Sequence, residues 1–417
     1  MKIAVIGAGI IGITTAYELA CDGHEVTVLE KTGAAAESAS FANAGLVAPS
    51  GTLPLSMPVW PATSALHFLR SLGQVTWKHK ISSQDMRWLW KWSQAGKSDA
   101  FVLNRDCLQQ LYAYSQDRMH QIAATAQLEY ERSTGQLLLI HSEAAHKTLQ
   151  PHLAALKEAG VAFQEMQPAD AKKIEPALHV AETLRSVIHF PNDEVGNCRQ
   201  YALLLKNAAQ KMGVQFAFNT TVTRIETTPT LVVSIHGDPT ARAFDSIVVC
   251  TGGPSHPMLA PLKIRLPVAS VSGYSLSASI REPLNAPRSA VMDLTSGIVI
   301  ARLGNRIRVS GGAELGGNPA THDPKMVQSL YKALQSHFPG AAHFPSGTQI
   351  WKGARSVTFD GLPVMGASEI PGVWLNLGHG PNGWGLSSGA ARVLADLIAK
   401  KSPVIDTERL RADRRPS

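Results

Sequence analysis

The sequence predicts an α/β protein: a parallel-sheet core assembled from separated segments, with a strand-rich α+β domain inserted between them. Three observations carry this. A strand, glycine turn, helix and second strand open the chain. A hydrophobic strand ending in Thr251-Gly252-Gly253 returns late, as a further core strand would. Between and after these, helices alternate with short strands and then give way to a run of strands over residues 268–311. The 417 residues suit two to three domains of about 100–200 residues each.

Residues 2–6 are a short β-branched run that reads as a buried strand, and Gly7-Ala8-Gly9-Ile10-Ile11-Gly12 turns the chain. Residues 13–22 carry helical apolar spacing, and 25–30 form a second buried strand. Residues 34–61, rich in Ala, Gly, Ser and Pro, are expected as a long functional loop. Residues 64–127 read as helical with an aromatic stripe. Strands at 135–141 and 161–164 flank a helix at 143–159. A helix at 200–213 leads into strands at 215–218, 222–227, 231–236 and 246–250. Helix returns at 320–338, and the last eighty residues hold Gly- and Pro-rich loops, a strand at 373–377 and a final helix from about 387 to 400.

Composition excludes several classes. Hydrophobic residues at 44% and charged residues at 17% rule out a disordered chain. The net charge of +7 comes from scattered basic residues, so no nucleic-acid partner is expected. Arg409, Arg411, Arg414 and Arg415 do crowd the C-terminus, either as a solvated end or as a contact for anionic lipid. Cys21, Cys107, Cys198 and Cys250 contain no CxxC pair, so neither a zinc ribbon nor a disulfide framework is expected, and no metal site. Glycines, threonines and Glu18 interrupt the apolar start, which therefore differs from a signal peptide. No eighteen apolar residues run together, so a soluble or surface-attached protein is expected.

The strongest motif is Gly7-x-Gly9-x-x-Gly12 between a strand and a helix. Gly7 permits the tight turn, Gly9 lets a pyrophosphate approach the backbone, and Gly12 lets helix and strand pack closely. The helix start, with Ile10 and Ile11, offers amides and a positive dipole end to phosphate. Glu30, followed by Lys31, ends the second strand where an acid can bond a ribose. The motif does not choose between NAD and FAD. FAD is favoured by the small-residue stretch ESASFANAGLVAP, which includes Ser40, Asn43, Ala44 and Gly45, and by the strand that ends in Thr251-Gly252-Gly253.

These stretches, with FPNDEVGNC, VSGYSL, NRIRVSGGAEL, WKGARSVTFDGLPVMG and LNLGHGPNGWGLSSGAARVLADLI, resemble the D-amino acid oxidase-like FAD oxidoreductases nearly end to end. The resemblance is nearest to the bacterial D-amino acid dehydrogenases of the small-subunit type. It implies a Rossmann-type, glutathione reductase-like FAD-binding domain with an inserted strand-rich α+β substrate domain. The expected division gives residues 1–65, 196–265 and 350–417 to the FAD-binding domain and 66–195 and 266–349 to the substrate or cap domain. Val222 joins the expected FAD contacts. The chain departs from the family at residues 47–61 and at Arg355-Ser356, where members usually carry Arg-Pro.

Amine oxidation asks for a flavin to take a hydride at N5, and for a cation to hold a zwitterion's carboxylate. Arg355 matches the family position for that clamp; otherwise it is a surface ion pair. Tyr274 either donates to the carboxylate or closes the pocket, or is strand packing. Arg306 and Arg308 share one strand face, solvated or lining the pocket. Gly378, Gly380, Asn382, Gly383 and Trp384 precede the last helix, where amides can stabilise charge near the flavin N1 and C2=O. His379 is a candidate acid–base residue. Trp88, Leu89 and Trp92 can share a helix face that packs on the substrate domain or lies on a membrane.

The expected function is FAD-dependent deamination of D-amino acids to 2-oxo acids and ammonia, with electrons passing to a quinone-type acceptor. D-proline or cis-4-hydroxy-D-proline is the alternative substrate, motivated by residues 47–61. The expected place is cytoplasmic, with peripheral attachment to the inner face of the cytoplasmic membrane.

Overall fold

A computed structural model describes residues 1–52, 75–77, 83–95, 99–227, 230–252, 256–264, 266, 268–315, 320–344 and 347–414. The apolar run Lys2–Ile6 forms the centre of a six-stranded sheet. Its order is Val364–Ala367, Val373–Leu377, Ser246–Val249, Lys2–Ile6, Glu25–Leu29 and Gln215–Ala217. Lys2–Ile6 pairs in parallel with both neighbours, so segments far apart in sequence close one nucleotide-type core. Helices Ile10–Cys21, Cys198–Lys211 and Gly383–Ile398 pack on it through Ile13, Tyr17, Leu205 and Leu394.

Eleven strands of the described residues join a second, larger sheet. Its long members are Arg132–Ile140, Ser186–Gly196, Val268–Ile280, Arg306–Leu315 and Gln349–Thr358. Two of these were not expected. Ser186–Gly196 contains Pro191 and Asn192, and Gln349–Thr358 contains Gly353, residues poor in strand propensity that neighbouring strands override. Gln349–Thr358 pairs along nearly its whole length with Val268–Ile280, although the expected division put residues from 350 onward with the FAD-binding core. Part of the aromatic stretch expected as helix is a strand, Val75–Trp77, followed by helices Ser83–Ala95 and Asp99–Thr125.

Strand parity divides this sheet's chemistry. Tyr274, Leu276, Ile307 and Val309 point to a face covered by helix Pro324–His337. Val271, Gly273, Ser275 and Ser277 alternate with them and face the other way.

Candidate active site

The N-terminal turn tolerates little beyond glycine. Gly7 lies at φ +106, and a Cβ there would stand 3.2 Å from the Cys250 carbonyl oxygen. A Cβ on Gly12 would stand 1.8 Å from the Gly7 carbonyl oxygen. Helix Ile10–Cys21 starts at Gly9 with no capping side chain and no acid in its first turn, which leaves its positive end open to an anion. Ile10 donates its N–H to Ser40 Oγ at 3.0 Å, and Ile11 follows in the same turn.

Glu30 is nearly buried, and its carboxylate braces the turn. Oε2 accepts the Ala8 N–H at 2.6 Å, and Oε1 accepts the Thr32 N–H and hydroxyl at 2.9 Å. Lys31 beside it is exposed. Thr220 donates its N–H to the Glu30 carbonyl at 2.8 Å, which brings Val222, at the start of the next strand, towards this end. Thr251 follows Cys250 against Gly7 and has a buried hydroxyl without a partner among the described residues; Gly252 is exposed, and Gly253 lies outside them.

The segment from Ser40 to Gly45 crosses from this turn to the large sheet. Gly45 donates its N–H to Asn43 Oδ1 at 3.1 Å, and Ala44 packs among the apolar side chains of that sheet. The Trp384 indole donates to the Gly45 carbonyl at 3.1 Å, so Trp384 props the segment from the last helix. Gly378 and Gly380 have φ of 77° and 56°, and a Cβ on Gly378 would lie 2.9 Å from Thr358 Cγ2. Helix Gly383–Ile398 also starts without a capping side chain or a first-turn acid. Asn382 Nδ2 and His379 Nε2 are buried with no hydrogen-bond partner. His379 forms an isolated backbone bridge with Val357, two residues from Arg355.

Arg355 lies across the large sheet. It is paired with Val271, and the next pair on the same face, Gly273–Gly353, leaves room for two side chains: the Arg355 guanidinium over Gly273 and the Trp351 ring over Gly353. A Cβ on Gly273 would stand 1.9 Å from Arg355 Nη2, and one on Gly353 would stand 1.7 Å from the Trp351 ring. Trp351 stacks on Phe41 at 6.3 Å between ring centroids. Arg355 makes no hydrogen bond or ion pair with the described residues, and burial pulls its pKa below the ordinary guanidinium value. The same face carries the buried hydroxyls of Ser275 and Ser310, neither with a partner.

Three expectations change. Tyr274 is paired with Lys352, on the face opposite Arg355. Its hydroxyl donates to Glu314 Oε2 at 2.5 Å and accepts the Asp323 N–H at 3.2 Å, while Lys352 Nζ sits 2.6 Å from Glu314 Oε1. Burial, then Glu314, pushes the phenol up to about 12. Tyr274 therefore does not reach the space beside Arg355, where it was expected to donate to a carboxylate or close the pocket, and is held in the strand packing on the other face. His379 is pushed down to about 3 by burial, so it stays neutral at working pH and is no proton relay of ordinary histidine strength. Arg308, expected as solvated first, is buried; it donates to the Asn43 carbonyl and to Ser277 Oγ, both at 3.1 Å. Arg306 remains at the surface, 3.2 Å from Glu131.

The described arginines of the tail are also paired, and Arg415 lies outside the described residues. Arg414 holds Asp360 bidentately at 2.8 and 2.9 Å, Arg411 pairs with Asp413, and Arg409 donates to Asn104. Trp88 is buried, donates to the Val357 carbonyl at 3.1 Å and stacks on Trp92 at 6.1 Å, whereas Trp90 and Met86 of the same helix are exposed. Among the described residues no helix is long and apolar enough to cross a membrane. Trp351 was expected beside Arg355, but the sequence reading missed its stack on Phe41, Gly273 under the guanidinium, and the serines of the sheet. The one sequence trace of the last is a serine at every second position from 275 to 279.

Residues 2–397 match the family described as DAO, FAD dependent oxidoreductase. A protein of Cereibacter sphaeroides named D-amino acid dehydrogenase is 35% identical over 99% of this chain and 95% of its own. One of the same name from Bradyrhizobium diazoefficiens is 35% identical over 99% of both chains. The solved structure of glycine oxidase from Geobacillus kaustophilus shares the fold, with a TM-score of 0.77 at 22% identity over 99% of this chain and 98% of that one. The glycine turn, the braced Glu30 and the segments converging on Arg355 thus occur in a chain that belongs, across nearly its whole length, to the DAO family of FAD-dependent oxidoreductases.

Proposed function

We propose that this enzyme oxidises D-amino acids to imino acids, which water converts to 2-oxo acids and ammonia, with the electrons leaving to a quinone-type acceptor. The observation that carries the reading is Arg355: a largely desolvated guanidinium, lying over Gly273, with no acid among the described residues to neutralise it. A buried cation without a counter-ion is costly, and a substrate carboxylate would supply the missing charge with two parallel hydrogen bonds. The names of the relatives, D-amino acid dehydrogenase, support both the substrate class and an acceptor other than oxygen.

The residues present fit FAD. The glycine turn packs on its own backbone and carries no side chain at Gly7, Gly9 or Gly12 to cover the helix start, and neither helix has a capping bond from its N-cap residue or an acid in its first turn. The buried Thr251 hydroxyl and Asn382 amide have no protein partner. Gly7, Gly9, Gly12, Glu30, Ser40, Asn43 and Gly45 would hold the nucleotide half, and residues 378–384 the ring end. When bound, FAD supplies the two-electron acceptor for the amine C–H bond. The chain's own contribution is orientation: Arg355 fixes the carboxylate, and the Trp351–Phe41 stack walls the space beside it. A neutral amine needs no base, in keeping with the depressed His379.

An anaerobic reduction screen over D-, L- and cyclic imino acids tests the reading. Fastest bleaching of the flavin by D-amino acids is the expected result. Reduction by L-amino acids alone would refute it, and preference for D-proline or cis-4-hydroxy-D-proline would move the substrate to the imino acids. Peripheral membrane attachment on the cytoplasmic side is part of the proposal and rests on exposed Trp90 and Met86 alone, since the described arginines of the tail are internally paired. Vesicle flotation with Trp90→Ala as control checks it.

A further inference from the structure

On the helix-covered face of the large sheet, away from Arg355, three side chains from distant segments converge. His141 follows strand Arg132–Ile140, Asp293 ends strand Ala290–Asp293, and His337 ends helix Pro324–His337. Asp293 Oδ1 lies 3.6 Å from His141 Nε2, and Oδ2 lies 3.8 Å from His337 Nε2. One ligand atom from each residue falls within 4.8 Å of the others.

These separations are too long for charge-assisted hydrogen bonds, which run about 2.7–2.9 Å. His141 Nε2 is buried and has no hydrogen-bond partner among the described residues. The distances lie near the edge of a coordination tetrahedron, about 3.4 Å for metal–ligand bonds of about 2.0–2.2 Å. Outer partners orient the ligands as metal sites require. The Thr183 hydroxyl lies 3.4 Å from His141 Nδ1, which turns Nε2 towards Asp293. The Thr295 N–H donates to Asp293 Oδ1 at 2.8 Å, and the Ser296 hydroxyl to Oδ2 at 2.9 Å. His337 adds the negative end of its helix, where positive charge is favoured.

We propose that His141, Asp293 and His337 bind one divalent transition metal, with Zn²⁺ as the reference ion. Two imidazoles and a carboxylate suit Zn²⁺, Ni²⁺ or Cu²⁺ rather than Mg²⁺ or Ca²⁺. Side-chain exposures of 20%, 14% and 10% for His141, Asp293 and His337 leave an approach for the ion and for a water in the fourth position. The metal ties the ends of two parallel-paired strands to the end of the helix that covers them, so it acts on the stability of this sheet and not on the redox chemistry. Ligands at 141, 293 and 337 share no local spacing, which is why no metal site was expected from the sequence.

The test uses tag-free, flavin-loaded protein stripped with chelator, then dialysed against Zn²⁺ with elemental analysis and thermal melting. One saturable equivalent per chain is expected, unaffected by excess Mg²⁺, together with a Zn²⁺-dependent rise in Tm. His141→Ala and His337→Ala should each weaken binding at least tenfold and abolish the rise. If His337→Ala fails to fold, His141→Ala and Asp293→Asn carry the comparison, since His141 is partly exposed. The chain has 15 histidines, so Zn²⁺ binding that persists unchanged in the variants belongs elsewhere and overturns the site. Absence of any saturable equivalent overturns it as well.

Discussion

Gly273→Ala isolates the clamp without touching it. Gly273 is not in the left-handed region, so alanine fits the backbone, but its Cβ would stand 1.9 Å from Arg355 Nη2 and 3.0 Å from Cζ. The obstructing atoms are the far end of a flexible side chain, so the guanidinium moves and the strand stays. Losing the charge-assisted hydrogen bonds to a carboxylate costs about 1.5–3 kcal/mol, or roughly 10- to 150-fold in KM. Alanine in place of a strand glycine returns about 0.5–1 kcal/mol of backbone entropy, so Tm should change little. Steady-state kinetics with a dye acceptor, beside the flavin spectrum and a melting curve, give the three readouts. Arg355→Ala should lose at least as much, and the double variant no more than Arg355→Ala alone, because both act on one contact. A folded, flavin-loaded Gly273→Ala enzyme with unaltered KM would refute the carboxylate clamp.

Glu30→Ala should weaken FAD retention about tenfold or more, because buried donors at Ala8 and Thr32 lose their acceptor; equilibrium release followed by flavin fluorescence checks it, and Glu30→Gln should recover part. Asp193, buried against Ser50, is pushed up from 3.8 to about 7 by burial, so the folded chain binds more protons than the unfolded chain between those values. Its contribution to stability therefore falls as pH rises from about 4 to 7, on the order of 4 kcal/mol in all, and denaturation curves of Asp193→Asn should lose that slope. Breaking the buried Arg414–Asp360 pair by Arg414→Ala should cost about 3–5 kcal/mol in chemical denaturation and leave vesicle association unchanged. In His379→Gln, the pH profile of kcat/KM should keep its limbs, since the imidazole does not titrate near neutrality.

What the sequence disclosed was local. The glycine turn is legible because its three glycines answer to contacts within a few residues, or to a strand end whose own signature is strong. Even there the helix begins at Ile10, three residues before the apolar periodicity, because Gly9 takes the cap position. The final helix likewise begins at Gly383 instead of about residue 387. A Cβ on Gly385 would meet the Tyr112 hydroxyl at 1.9 Å, a packing reason for glycine that no pattern within the helix reveals. The partner of Arg308 could not be read: the carbonyl it holds belongs to Asn43, 265 positions earlier.

Tyr274 marks the harder boundary. Gly273 and Tyr274 are adjacent, yet one is the floor under Arg355 and the other bonds Glu314 on the far side. A strand alternates its side chains, so assigning a residue to a site is a question of parity, and parity is fixed by register with other strands. Here the register with Arg306–Leu315 slips between Ser272 and Tyr274, where Gly312 and Ala313 stand against Gly273 alone, while the register with Gln349–Thr358 runs on unbroken. Nothing in VSGYSL reports that slip. The same parity gives this one sheet two separate chemistries: on one face the Arg355 cation, unpaired among the described residues, beside Gly273 and the sheet serines, and on the other a Tyr–Glu–Lys network with a His–Asp–His cluster under the covering helix. Substitutions at neighbouring positions of strand Val268–Ile280 should therefore divide into those that alter KM and those that alter stability, alternating with residue number.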